Sequence, residues 1–311
     1  MTNKITWPNG KAFAFTVFDD TDATTVDNGP PVYDFLRDCG LRTTKSVWPL
    51  AGEDAPEIVG GSTCAEPDYL KWVLQLQKEG FEIGYHNATF HSSRREQTRR
   101  GLDRFKELFG HDPLTMATHT TCREGMYWGD DRVSGLQRAL YNLLTRNRGR
   151  GSFRGHVEGD EYFWGDLCRQ RVKYLRNFVF AEINTLKACP QMPYHDPDRP
   201  FVKAWFASSE GGLAESFNQT ISEENQDRLE AEGGACIMYT HFGKRFHYQG
   251  QLNPRFKTLV ERLSRKNGWF VPVSTLLDHL AATRGVHTLG KGEQAGLERK
   301  WLWHKTRVGT T

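Results

Sequence analysis

Short apolar runs alternate along the chain with segments whose apolar positions recur at i, i+3, i+4 and i+7. The first run, residues 12–18 (AFAFTVF), ends in Asp19-Asp20. After it, Pro30-Pro31 opens a segment that puts Val32, Phe35, Leu36 and Cys39 on one helical face. A short apolar run followed by period 3.6 predicts a strand, a loop and a helix. The unit recurs: residues 43–48 precede Tyr69, Trp72, Val73 and Leu76 at helical spacing, and residues 81–85 form a third strand ending at His86. Ser92 or Ser93 can cap a charged helix over 94–109, which Gly110 stops. A fourth strand, 114–118, ends at His119.

The middle of the chain, 126–215, is less regular. It predicts a helix over 131–145, an Arg/Gly loop and short aromatic runs at 175–180 and 201–206. Order returns with Ser222 capping a helix to Glu232 and a strand over 235–240 that finishes at His241. Asn253 as cap, Pro254 in the first turn, then Phe256, Leu259, Val260 and Leu263 before Gly268 make the best-punctuated helix in the chain. A strand at 269–273 and a helix from Ser274 to residue 284 follow. Strands alternating with helices imply an α/β protein with a largely parallel sheet and helices outside it. The expected division is one catalytic body over 1–284, with 126–215 as a large insertion, and a tail over 285–311.

Composition narrows the class. The chain has 311 residues, 38% hydrophobic and 25% charged, with 12% aromatic residues, which excludes a disordered or low-complexity protein. A formal net charge of +3 supplies no global field for gripping nucleic acid or an anionic membrane, so any anion site must be local. No stretch is long and apolar enough to read as a signal peptide or a membrane span, so the expected location is the cytoplasm. The six cysteines are widely spaced and contain no CxxC pair, which predicts free, mostly packed thiols. The four arginines of RNRGRGSFRG, 146–155, read as a solvated loop, with an anionic group such as a phosphate as the functional alternative.

GxGxxG, GxxxxGK[ST] and GxSxG signatures are absent. Polar residues instead recur where strands end: Asp19 and Asp20, His86, His119 and His241. In a (β/α) barrel those ends converge on the face that carries the chemistry. Asp20 with His86 and His91 would make a two-histidine, one-carboxylate metal set with open positions. Asp19 could then serve as base and His241 as the acid that protonates a leaving nitrogen.

VFDDTD at 17–22, EIGYHNATFHS at 82–92, CIMYTHFG at 236–243 and WFVPVSTLLDHL at 269–280 resemble, in order and spacing, the motifs of the polysaccharide deacetylases, the chitin-deacetylase-like carbohydrate esterases. The resemblance covers residues 12–284. It implies a distorted (β/α) barrel of about seven strands and a divalent metal, zinc being expected, that supports removal of an N-acyl group from an amino sugar. With no export signal in view, a nucleotide- or lipid-linked precursor of surface polysaccharide, lipopolysaccharide included, is the expected substrate. The resemblance also implies Asp19 as base, Asp20, His86 and His91 as ligands, and His241 as acid.

Two positions depart from the family pattern. The paired histidines stand at i, i+5 rather than i, i+4, which makes His119 the reserve ligand. The family's Arg-x-Pro-x-Gly, whose arginine orients the catalytic aspartate, is replaced by THTTCREG, where Arg123 is the substitute. Arg123 and Trp205 are the candidate substrate contacts, although a large tryptophan is more often core. Two other readings are open. Asp20-Thr21-Asp22-Ala23-Thr24 also fits the DxDxT of haloacid-dehalogenase-type phosphatases, with Asp130-Asp131 as its acidic pair. A catalytically silent carbohydrate-binding barrel is the non-enzymatic alternative.

Overall fold

The computed structural model describes residues 5–309, so the outermost parts of both expected segments, 1–4 and 310–311, lie outside the described residues. Strands β1 (Phe13–Asp19), β2 (Thr44–Val47), β3 (Glu82–Tyr85), β4 (Thr115–Met116) and β5 (Tyr174–Phe180) are followed by the short β6 (Tyr194–His195), then β7 (Ala204–Ser209) and β8 (Ala235–Thr240). A small hairpin, β9 (His247–Tyr248) and β10 (Gln251–Leu252), precedes β11 (Gly268–Phe270) and β12 (His287–Thr288). The order β1-β2-β3-β4-β5-β7-β8 returns to β1, closing a parallel barrel of seven strands with helices around it.

The closure is uneven, which is the distortion. The first half of β1 pairs with β11 (Phe13 with Gly268, Phe15 with Phe270), and only its end pairs with β2 (Phe18 with Thr44, Asp19 with Lys45). Its other edge runs in full register with β8, from Ala14 with Ala235 to Asp19 with Thr240. Every residue of β1 is buried, because one face meets helices and the other fills the barrel, as expected of a parallel strand. Phe18 points inward, its ring 6.1 Å from that of Phe206 on β7. Glu82 lies at the opposite, amino-terminal end of the strands, accepting from the hydroxyls of Thr44 and Thr115 at 2.7 Å each and from Ser274 N at 2.9 Å.

Helix Pro254–Ser264 forms as its punctuation predicts: the Asn253 side chain accepts from Phe256 N at 3.0 Å, and Phe256, Leu259, Val260 and Leu263 are buried. Two expectations about the chain's organisation change. The segment 126–215 supplies β5 and β7, two of the barrel's own strands, and so is not simply an insertion. The aromatic runs at 175–180 and 201–206 mark these two strands, whose burial on both faces leaves no alternation along the chain. The tail is a helix, Lys291–Val308, that buries Leu297, Trp301 and Leu302, while its Glu298 accepts from Ser134 and Arg199. All six cysteines are free.

Candidate active site

Period-two alternation decides what each acidic residue after β1 can do. Asp19 has the parity of Phe13, Phe15 and Val17 and faces the helices. It accepts from Tyr33 Oη at 2.9 Å and from Phe242 N at 2.7 Å, and pairs with Lys45 Nζ at 3.2 Å. Asp19 and Lys45 are both fully buried. Burial pushes the Asp19 carboxyl up against the opposing charge of Lys45, and pushes the Lys45 ammonium down. Asp19 thus makes its contacts behind the sheet and does not border the cleft described below.

Asp20 shares the parity of Phe18 and faces the lumen. Both its oxygens accept from Arg176, Nη1 to Oδ1 at 2.8 Å and Nη2 to Oδ2 at 2.6 Å, a bidentate fork from β5. Burial would raise this carboxyl, but the Arg176 charge outweighs it, and the pKa is lowered. The guanidinium is itself packed over the rings of Phe18 and Tyr239.

Asp22 sits at the centre. The turn through Ala23, which has a positive φ of 58°, is held by Thr24 N bonding to Thr21 O at 3.0 Å and Ala23 N to Gly60 O at 2.7 Å. Asp22 Oδ1 lies 3.2 Å from His86 Nε2 and 3.5 Å from His119 Nε2; Oδ2 lies 3.2 Å from His241 Nε2 and 3.3 Å from Lys244 Nζ. Burial opposes ionisation of Asp22, yet its hydrogen bonds to His241 and His86 hold the pKa well below the ordinary value. His86, His119 and His241 come from the ends of β3, β4 and β8, each aimed at the same mouth.

The donor set fits a divalent cation. His86 Nδ1 is 2.9 Å from Ala117 O, and since a carbonyl can only accept, Nδ1 carries the proton. With Nδ1 so held, Nε2 faces Asp22 Oδ1 at 3.2 Å, and a cation can be held between a fixed imidazole and a carboxylate. His119 Nε2 finds no hydrogen-bond partner among the described residues. Burial pushes that imidazole down to about 4, leaving it uncharged at neutral pH. The three ligand atoms of Asp22, His86 and His119 all lie within 4.8 Å of one another.

Asn87 and Glu124 clip the two histidine loops together. Asn87 Nδ2 donates to Glu124 Oε1 at 2.7 Å, Asn87 Oδ1 accepts from His119 N at 3.1 Å, and Glu124 Oε2 accepts from Ser93 N at 3.0 Å. Burial pushes the Glu124 carboxyl up to about 7. The resulting cleft encloses about 180 Å³ and is bordered by Asp20, Asp22, His86 and His241 with Trp128, Tyr239 and Lys244.

Of the expected site residues, Asp20, His86 and His241 border the cleft; the others are elsewhere. His91 turns away: the chain reverses at Asn87, with φ 66°, and His91 Nε2 accepts from Glu53 N at 2.9 Å. His119, the reserve ligand, stands with His86 instead. Arg123 is exposed on the rim with its guanidinium 4.9 Å from the Tyr162 ring, and Arg176 makes the contact to aspartate. Trp205 is buried beside Tyr127, whereas Trp128 reaches the cleft. Asp130 and Asp131, the acidic pair of the phosphatase reading, bind Arg138 on a short turn, and neither borders the cleft. Asp22 entered the sequence reading only through the DxDxT alternative, and Arg176, Asn87 and Glu124 went unrecognised as site residues. For Arg176 the signal was a lone cation in an apolar strand.

No family model matches the chain, and no curated relative is similar to it. Among solved structures, a provisionally assigned polysaccharide deacetylase from Mycobacterium smegmatis is 12% identical with a TM-score of 0.49, covering 93% of this chain and 97% of that one. Puue allantoinase is 12% identical with a TM-score of 0.47 over 90% and 93% of the two chains. The Bc1960 peptidoglycan N-acetylglucosamine deacetylase is 14% identical with a TM-score of 0.41 over 87% and 90%.

Proposed function

We propose that the barrel mouth is a divalent-metal-dependent amide hydrolase site. Asp22, His86 and His119 are its ligands, Asp20 its general base and His241 its general acid. The observation that carries this reading is the pair of imidazole Nε2 atoms, one fixed by its neighbour carbonyl and one orphaned, both facing Asp22 Oδ1. A divalent ion held by these residues would supply Lewis-acid polarisation of an amide carbonyl and a more acidic water. Asp20 is kept ionised and fixed in plane by Arg176, so it is ready to accept a proton from an attacking water. His241 anchors Nδ1 on Gly212 O at 2.7 Å and turns Nε2 to the cleft. Burial works against its charged form, but Asp22 outweighs burial and raises the pKa, so the ring can carry the proton that a leaving amine needs.

A cleft of about 180 Å³ holds an acyl amide and little more, so the remainder of the substrate extends beyond the mouth. The motif resemblance favours an N-acylated amino sugar as that substrate, and a carboxylate with two histidines favours zinc. Metal content decides the ligand set: Asp22→Asn and His119→Ala should each empty the site, whereas His91→Ala should keep about one ion per chain. Full occupancy in either of the first two overturns the assignment. With metal bound, failure to release acetate from any N-acetylated amino sugar overturns the deacetylase reading and leaves the metal site standing.

A further inference from the structure

Helix Gly135–Leu144 carries an apolar stripe that is largely exposed. Leu136, Leu140, Leu143 and Leu144 are 81%, 45%, 73% and 51% exposed, and Trp303 on the neighbouring helix Lys291–Val308 is 56% exposed. Leu136, Leu140 and Leu144 with Leu302 and Trp303 line an almost wholly apolar groove of about 260 Å³. Leu144 also borders a second cavity, of about 430 Å³, whose walls include Arg146, Arg148 and Lys305. An apolar groove and a cationic cleft thus share one wall. Patches of this kind mark interaction surfaces.

Charge selects the partner. Residues 132–157 contain six arginines and no Asp or Glu, and residues 299–311 contain four Lys or Arg and again no acid. Arg146, Arg148 and Arg150 are exposed, and Arg307 lies 4.1 Å from the Trp303 ring. A second copy of the chain would set like charges against each other, and a nucleic acid would leave the leucines in water. An anionic bilayer meets both needs, taking leucine and tryptophan side chains below the headgroups while its phosphates face the arginines. No described helix is long and apolar enough to cross a membrane, so contact would be peripheral. Arg132 links the face to the cleft, its guanidinium 4.8 Å from the Trp301 ring and 3.6 Å from that of cleft-bordering Trp128.

We propose that the face formed by helices Gly135–Leu144 and Lys291–Val308, with the 146–150 arginines, docks on an anionic phospholipid surface. Purified full-length protein is pelleted with vesicles of phosphatidylcholine alone or mixed with phosphatidylglycerol. Binding is expected to the mixed vesicles only and to fall as salt rises. Arg146→Gln with Arg148→Gln and Arg150→Gln should weaken partition roughly 100-fold. Leu136→Glu with Leu143→Glu should abolish it, both variants keeping the parent melting temperature because every altered side chain is exposed. Equal pelleting with neutral vesicles overturns the proposal, as does binding that survives the leucine changes, which is plain polyanion attraction. So does a dimer in light scattering that the leucine changes split, in protein that ignores vesicles.

Discussion

Replacing Asp19 tests whether the carboxylate nearest the strand end is chemistry or structure. Asp19→Asn keeps shape and can still accept from Phe242 N, but it strips the counter-charge from Lys45, which is fully buried 3.2 Å away. An ammonium stranded there must either stay charged in the interior or give up its proton. From an ordinary value of 10.5, deprotonation at pH 7 costs about 5 kcal/mol, at about 1.4 kcal/mol per pH unit. That figure is the ceiling on the loss and agrees with the ~3–5 kcal/mol typical of breaking a buried pair.

The sign with pH follows from the same quantity. Raising pH makes a neutral Lys45 cheaper, so the ceiling falls to about 2 kcal/mol at pH 9. Burial already drives both partners toward their neutral forms, so Asp19→Asn combined with Lys45→Met should recover most of the loss. The assay is guanidinium unfolding of the four chains at pH 7 and pH 9 with chelator present, together with turnover of the metal-loaded folded fraction. Asp19→Asn should retain most of its kcat, whereas Asp20→Asn should lose roughly 100-fold or more. A deficit that does not shrink at pH 9, additive single and double variants, or a collapse of kcat in fully folded, metal-loaded Asp19→Asn would refute the reasoning.

Glu124 should mark the pH dependence of stability. Its folded value of about 7 stands above the ordinary 4.5, so the stability present below pH 4.5 is lost as pH rises through 7, by about 3 kcal/mol. Glu124→Gln should flatten that slope in denaturant titrations at a series of pH values; an unchanged slope rules the account out. His241→Ala, with metal retained, should slow amide hydrolysis far more than hydrolysis of an activated aryl ester, whose leaving group departs without a proton. Equal losses on the two substrates would remove His241 as general acid.

Local sequence determined the repeating strand–helix units, the cap at Asn253, and the recurrence of His86, His119 and His241 where strands end, although none of Ser92, Ser93 and Ser222 makes the capping bond expected of it. Each depends on neighbours a few residues away, and hydrophobic period and turn chemistry report such neighbours directly. The tertiary structure alone decided which of Asp19, Asp20 and Asp22 enters the lumen, because that parity depends on how β1 seats between β8, β2 and β11. It likewise chose His119 over His91, since the reversal at Asn87 is held by Glu124, 37 residues on. Arg176 was hidden for the same reason: its partner lies 156 residues away, in a strand whose local pattern shows only an apolar run with one charge. Closing the barrel turns that isolated cation into a bidentate clamp, because barrel closure sets strand register and brings together groups that no local period relates.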